Sequence, residues 1–325
     1  MVNAAIGKPT KSHPPGCQPG VKPEKEKVLS AVSSIPINTV MGIDYSGAAK
    51  SGRTAWAAEL FWLGKGDLTE KLDHPTPRFR LVSLQPLGRL AAGDDRKRVN
   101  AYLTDRIRIQ KETLWGCDFP FGLPIELALG SWNAQLKHTQ QFDGNAKEFG
   151  LSLVERSLQQ TGSLHVRRTT DKETKTPFDC YHYRIIYQTF HGMRDVLSNL
   201  QREPNVAILP FQYRRMTNPS LSSILVEACP SSTLKRLKLP YRGYKQSGGQ
   251  LPTKSQRAVR REILAVLSQY VDISAHRRRC LLSDPGGDAL DAVLAGFGAW
   301  SAFRRVNHSQ IAAHRRYPRE GYVYC

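Results

Sequence analysis

The sequence predicts an α/β protein: a mixed five-stranded sheet flanked by helices, with a helical insertion between the fourth and fifth strands. Three observations predict it. Three short apolar runs end in Asp44, Asp118 and Glu227, as buried strands do where they emerge at a sheet edge. Two more strand-like segments follow the first run and read with it as an antiparallel meander. Stretches with helical apolar spacing separate and follow the strands.

The elements come in order. Residues 38–45 form the first strand, and residues 46–52 a turn containing Gly47 and Gly52. Residues 54–62 form the second strand, and residues 79–84, which alternate apolar and polar, the third. Asp94 and Asp95 open a helix whose stripe is Val99, Leu103, Ile107 and Ile109. Acids there suit the positive end of the helix dipole. Residues 113–118 are the fourth strand, ended by Pro120 and Pro124 because proline cannot feed a central ladder. Residues 123–136 read as helix.

The insertion covers about residues 140–220, with helices at 145–158 and 183–200 and a polar loop at 167–176. Residues 222–228 are the fifth strand, and 231–237 a short helix. A Gly-rich loop spans 241–252. Thr253 and Gln256 fit a capping box for a helix bearing Val259, Ile263, Val266, Leu267 and Tyr270. The last long helix runs from Asp288 to about Phe303, and residues 320–324 read as a closing strand or strap. This is the ribonuclease-H-like order, with the first strand central and the fourth beside it. Residues 1–36, rich in Pro, Gly and Lys, read as a disordered basic tail, and 37–325 as one domain.

Composition narrows the function. The chain has 325 residues, with 47 basic against 28 acidic, a net charge of +19. Basic clusters are spread along it, which points to a basic face and nucleic acid as partner. No run approaches the roughly 18 apolar residues of a membrane span, so no membrane partner is expected. The six cysteines are scattered without a CxxC pair, which argues against zinc and for reduced thiols in the cytoplasm. Oligomeric state is not legible.

The candidate chemistry lies in the acids. Asp44 and Asp118 end strands placed side by side, within reach of one cation. Asp288 and Asp291, three apart on a helix, share a face. Gathered carboxylates repel unless a cation joins them, and two or three suffice for Mg2+ or Mn2+, which keep several waters. Each acid has a plainer reading: Asp118 as a strand-end turn residue, Asp288 as a helix N-cap, Glu227 as the partner of an arginine. Arg167, Arg168, Asp171 and Lys175 read as a substrate-facing loop or as a solvated one. The Gly-rich loop at Tyr244 and Lys245 can touch phosphates through its backbone amides and the lysine.

Taken together, Gly42-Ile-Asp44-Tyr-Ser-Gly, Cys117-Asp118-Phe-Pro-Phe-Gly-Leu-Pro124, Val226-Glu227-Ala-Cys-Pro230 with Tyr244-Lys245, Gly287-Asp288-Ala-Leu-Asp291-Ala and Glu320-Gly321 resemble a bacterial and archaeal family of predicted ribonuclease-H-like nucleases, domain-of-unknown-function family 429. The resemblance spans nearly the whole chain after the tail. It implies a ribonuclease-H fold and a metal-dependent nuclease, with Asp44, Asp118, Glu227 and Asp291 at the acidic motif positions and Asp288 next to them. The basic tail, the long insertion and the Arg-rich end depart from the family pattern.

The leading expectation is therefore a Mg2+- or Mn2+-dependent phosphodiesterase acting on RNA or DNA. The alternative is a non-catalytic nucleic-acid-binding protein on the same fold. An actin-like phosphotransferase also starts with a Gly-Ile-Asp strand, but it needs two related lobes, and only one such unit is found.

Overall fold

The computed structural model describes residues 35–64, 78–246 and 249–325. The tail expected over residues 1–36 lies, apart from its last two residues, outside them.

The fold is a mixed α/β arrangement built on one sheet flanked by helices. Its strands are β1 (Thr39–Asp44), β2 (Trp56–Trp62), β3 (Phe79–Pro86), β4 (Thr113–Asp118), β5 (Val206–Leu209), β6 (Ser223–Ala228), β7 (Val271–Asp272) and β8 (Val323–Tyr324). The order is β5-β6-β4-β1-β2-β3-β7, with β8 pairing β6. The meander β1-β2-β3 is antiparallel, whereas β1, β4, β6 and β5 run parallel. The five strands expected from the sequence are thus adjacent, with the first central and the fourth beside it.

The expected count of five is corrected to eight among the described residues. Strands β7 and β8 are two residues each, too short to show a period. β5 is a four-residue apolar run, Val-Ala-Ile-Leu, buried throughout. It lies inside the stretch read as a helical insertion, so that stretch also extends the sheet.

Helix boundaries differ where local chemistry overrides periodicity. The helix expected over 123–136 is a short 3-10 turn, Ile125–Leu127, followed by Trp132–Gln141. Ala128 takes a left-handed conformation, and Ser131 caps the second piece by accepting from the Ala134 N–H. The helix Arg96–Ile109 is capped by Asp95 as its acids suggested. Ile109, however, faces solvent, and Asn100 and Thr104 complete the buried stripe. Thr253 and Gln256 form the expected capping box for Lys254–Leu267. The loop expected at 167–176 contains a helical turn, Thr169–Glu173.

Both faces of the sheet are covered. Along β1 the side chains alternate: Val40 joins the core beneath the long helix Asp288–Arg305, and Met41 and Ile43 join the opposite core with Trp115, Cys117 and Phe149. Burying each of the larger of these side chains contributes roughly 1.5–3 kcal/mol. No described helix is long and apolar enough to cross a membrane.

Candidate metal centre

Strand parity builds the site. Val40, Gly42 and Asp44 share one face of β1, and Leu114, Gly116 and Asp118 the same face of β4. The two strands pair in register, so Asp44 stands directly opposite Asp118. Both carboxylates emerge at the carboxyl edge of parallel strands, where α/β sheets commonly bind ligands.

The third acid comes from the long helix Asp288–Arg305. It crosses this face unusually closely because the strands offer glycines. A Cβ on Gly42 would fall 1.9 Å from the Ala292 carbonyl oxygen, and one on Gly116 would fall 2.5 Å from that of Ala295. Gly296 answers from the helix, with its own Cβ position 3.0 Å from the Gly42 nitrogen. That contact lowers the first turn of the helix onto the strand ends and delivers Asp291. Oxygens of Asp44, Asp118 and Asp291 all lie within 4.8 Å of one another.

The electrostatics are those of acids crowded out of water. Burial raises Asp44 well above the ordinary carboxylate range. Lys245 opposes the rise, and Asp291, Asp288 and Asp118 add to it. Asp118 is pushed up to about 8 by burial and by Asp291, against Lys245. Asp291 is held at both ends: the Tyr244 hydroxyl donates to Oδ1 at 2.8 Å, and the Lys245 ammonium rests on Oδ2. For Lys245, burial of the amine is outweighed by Asp291, Tyr244 and Asp44, which raise its pKa. Half of its side chain still faces solvent.

Asp288 lines the same cavity but is not one of the three acids whose oxygens meet. It is not the helix cap either: Gly287 holds that position with φ of +84°, and Asp284 accepts from the Ala289 N–H. Burial, with Asp291 and Asp284 and against Lys245, raises Asp288 to about 6.

Glu227 belongs to a different assembly. It is opposite Cys117 in the β4–β6 register, and so shares the parity of Cys117 rather than that of Asp118. Its carboxylate receives both terminal nitrogens of Arg168, one at 2.8 Å, and the Phe121 N–H at 2.9 Å. Burial raises Glu227, while Arg168 pulls it down. Arg168 also binds Asp171 through Nε and a terminal nitrogen, each at 2.9 Å. Arg168, Asp171 and Glu227 are 1%, 1% and 3% exposed. Arg168 is therefore a buried strut between the insertion and β6, with its charge taken up by Asp171 and Glu227 where it lines the cavity. Gly321 closes over it: at φ of +98° it carries no side chain, and a Cβ there would fall 2.9 Å from the guanidinium. Glu320 ties the same region down by accepting from the Thr169 N–H at 2.8 Å.

Arg167 is half-buried and donates to the carbonyls of Thr176 and Pro177. The structure thus brings together Asp44, Asp118, Asp291 and Lys245, with Asp288 adjacent. Glu227 and Arg168 pair with each other and line the same cavity beside the three acids, while Arg167 lies behind Thr176 and Pro177, whose carbonyls it holds. The Tyr244 side chain is a hydrogen-bond partner of Asp291. A cavity of about 520 Å³ opens at the acids, lined also by Tyr45, Phe119, Phe178, Tyr241 and Arg242. Comparison with family models, with curated proteins and with solved structures finds no match to this chain.

Proposed function

We propose that this chain is a divalent-metal-dependent phosphodiesterase with a ribonuclease-H-like fold, acting on RNA or DNA. The observation that carries the reading is the convergence of Asp44, Asp118 and Asp291 at the floor of an open cavity. Strand order supports it, since the acids end the central strand and its parallel neighbour. The donor set fits Mg2+ or Mn2+: hard carboxylate oxygens, few enough to leave positions for water. The rise of Asp118 to about 8 fits too, because among the described residues one ammonium, that of Lys245, offsets three crowded carboxylates, two buried and one half-buried.

Asp44, Asp118 and Asp291 would hold the ion. A bound ion supplies a water of lowered pKa for attack on phosphorus and offsets charge on the phosphoryl oxygens. The chain's own groups do the rest. Tyr244 fixes the rotamer of Asp291. Lys245 sets a positive charge at the cavity floor, where a phosphodiester oxygen would lie. The walls of Phe119, Phe178 and Pro120 limit the water around the reacting group. The net charge of +19 favours encounter with a polyanion.

The test is cleavage of end-labelled RNA and DNA with Mg2+ or Mn2+ by wild type and by Asp44→Asn. Cleavage should vanish in the variant, while nucleic-acid binding is nearly retained. Undiminished cleavage by a clean Asp44→Asn preparation would sink the proposal and leave a non-catalytic nucleic-acid binder as the better reading.

A further inference from the structure

Four cations gather beside the carboxylate cavity although they lie far apart in sequence: Arg242 lines it, and Arg167, Lys175 and Lys235 adjoin Thr176, Pro177 and Tyr241, which also line it. Lys235 lies in the last turn of the helix Pro230–Arg236, and Arg242 follows in the loop that lines the cavity. Arg167 and Lys175 flank the turn Thr169–Glu173. The Lys235 ammonium lies 4.8 Å from the centre of the Tyr241 ring and donates to the Lys175 carbonyl. The Arg242 guanidinium lies 5.4 Å from the same ring. Arg167 grips the carbonyls of Thr176 and Pro177, both of which line the cavity.

None of these four is ion-paired with a carboxylate among the described residues, in contrast to Arg168 beneath them. The crowding bears on Lys235: burial lowers its pKa, Cys229 opposes the fall, and Arg167, Arg242 and Lys175 add to it. Lys175 is also held at φ of +55°, a conformation lysine rarely adopts. Strain of this kind persists where the surroundings impose it and clusters at ligand sites. Cations assembled at a cost, with no protein anion among them, suit an anion from outside. Phosphate is the anion that the floor of the cavity is built to act upon.

We propose that Arg167, Lys175, Lys235 and Arg242, around Tyr241, form a phosphate-binding subsite that threads a single strand of nucleic acid into the carboxylate cavity. This rests on the phosphodiesterase reading and names its substrate class. Depth favours the single strand. Asp44 and Asp291 are 7% and 1% exposed, so they lie beneath the rim. The backbone must bend into a cavity of about 520 Å³ to reach them. A duplex, with a persistence length of about 50 nm, resists such a bend, whereas an unpaired strand does not. The half-exposed Tyr241 ring beside the cations offers an unpaired base an apolar surface, as single-strand binders do.

The experiment measures binding in EDTA, so that it does not depend on the metal centre. Fluorescence anisotropy would follow labelled oligo(dT), labelled oligo(rU) and the dT strand annealed to oligo(dA). At least one single strand should bind more tightly than the duplex. Lys235→Ala/Arg242→Ala should weaken that strand by about tenfold or more and reduce the salt slope by about 1.4, the value for two phosphate contacts on a single strand. The control is Lys111→Ala/Arg202→Ala, which removes the same charge from exposed residues just before β4 and β5, at the far edge of the sheet. Equal binding of duplex and single strand would overturn the proposal. So would an equal loss in the control, or no loss in the rim variant. Because no metal is present, failure here leaves the phosphodiesterase reading standing, and failure of cleavage leaves this result standing.

Discussion

Replacing Arg168 by methionine removes one guanidinium from two buried carboxylates while keeping a side chain of comparable length. In the native protein Arg168 satisfies Glu227 and Asp171 and donates to the carbonyls of Glu320 and Gly122 at 3.1 and 3.3 Å. The carboxylate side chains it leaves are 4% and 2% exposed, so water cannot take its place. Breaking a buried pair from one side costs about 3–5 kcal/mol. At about 1.4 kcal/mol per tenfold, that is roughly two to three and a half powers of ten in the folding constant. Urea unfolding followed by tryptophan fluorescence should show a lower midpoint at an unchanged slope. Arg168→Met/Glu227→Gln should recover part of the loss, because one stranded charge is then gone. A loss below about 1 kcal/mol, the worth of an exposed pair, would refute the description of this network as a buried strut.

Glu227→Gln should lower stability but leave Mg2+ affinity intact in the folded protein, as titration of the variant would show, because its carboxylate serves Arg168. Gly42→Ala should cost about 1–3 kcal/mol as an overpacked contact and weaken metal binding together with stability, since the helix bearing Asp291 must retreat from its Cβ. Asp118 titrates near 8 when folded and near 3.9 when unfolded. Its raised pKa therefore costs the metal-free fold nothing below about 3.9, and stability is lost progressively as pH rises from there to about 8, where the penalty is complete. Asp118→Asn should accordingly melt higher than wild type at pH 8 without metal. For the same reason Mg2+ affinity should strengthen by up to about tenfold per pH unit below 8, which titrations at several pH values would show.

The sheet's centre was legible because its strands carry local signals. Runs such as Val-Met-Gly-Ile-Asp44 and Leu-Trp-Gly-Cys-Asp118 are apolar throughout and end in an acid, and the structure pairs these two in register. The capping chemistry of Thr253 and Asp95 was equally local. What was not legible depends on distance in the chain. β7 and β8 are strands only because β3 and β6 offer them an edge. Arg168 reads as one more polar loop residue, yet it is buried by Gly122, Glu227 and Glu320 from three other segments. The opposed faces of Glu227 and Asp118 depend on register, since Cys117 and Glu227 pair directly and strand period is two. Grouping acids by strand ends alone overlooked that parity. The glycines at 42, 116 and 296 carried another readable sign: a helix that lies unusually close to the sheet needs bare backbone on both sides.

Calorimetric titration of Mg2+ and Mn2+ into wild type and Asp44→Asn/Asp118→Asn tests the central claim most directly. The account predicts saturable binding to wild type that is lost in the variant while its circular dichroism stays native. Binding retained undiminished by the folded variant would contradict the assignment of Asp44, Asp118 and Asp291 as a metal centre.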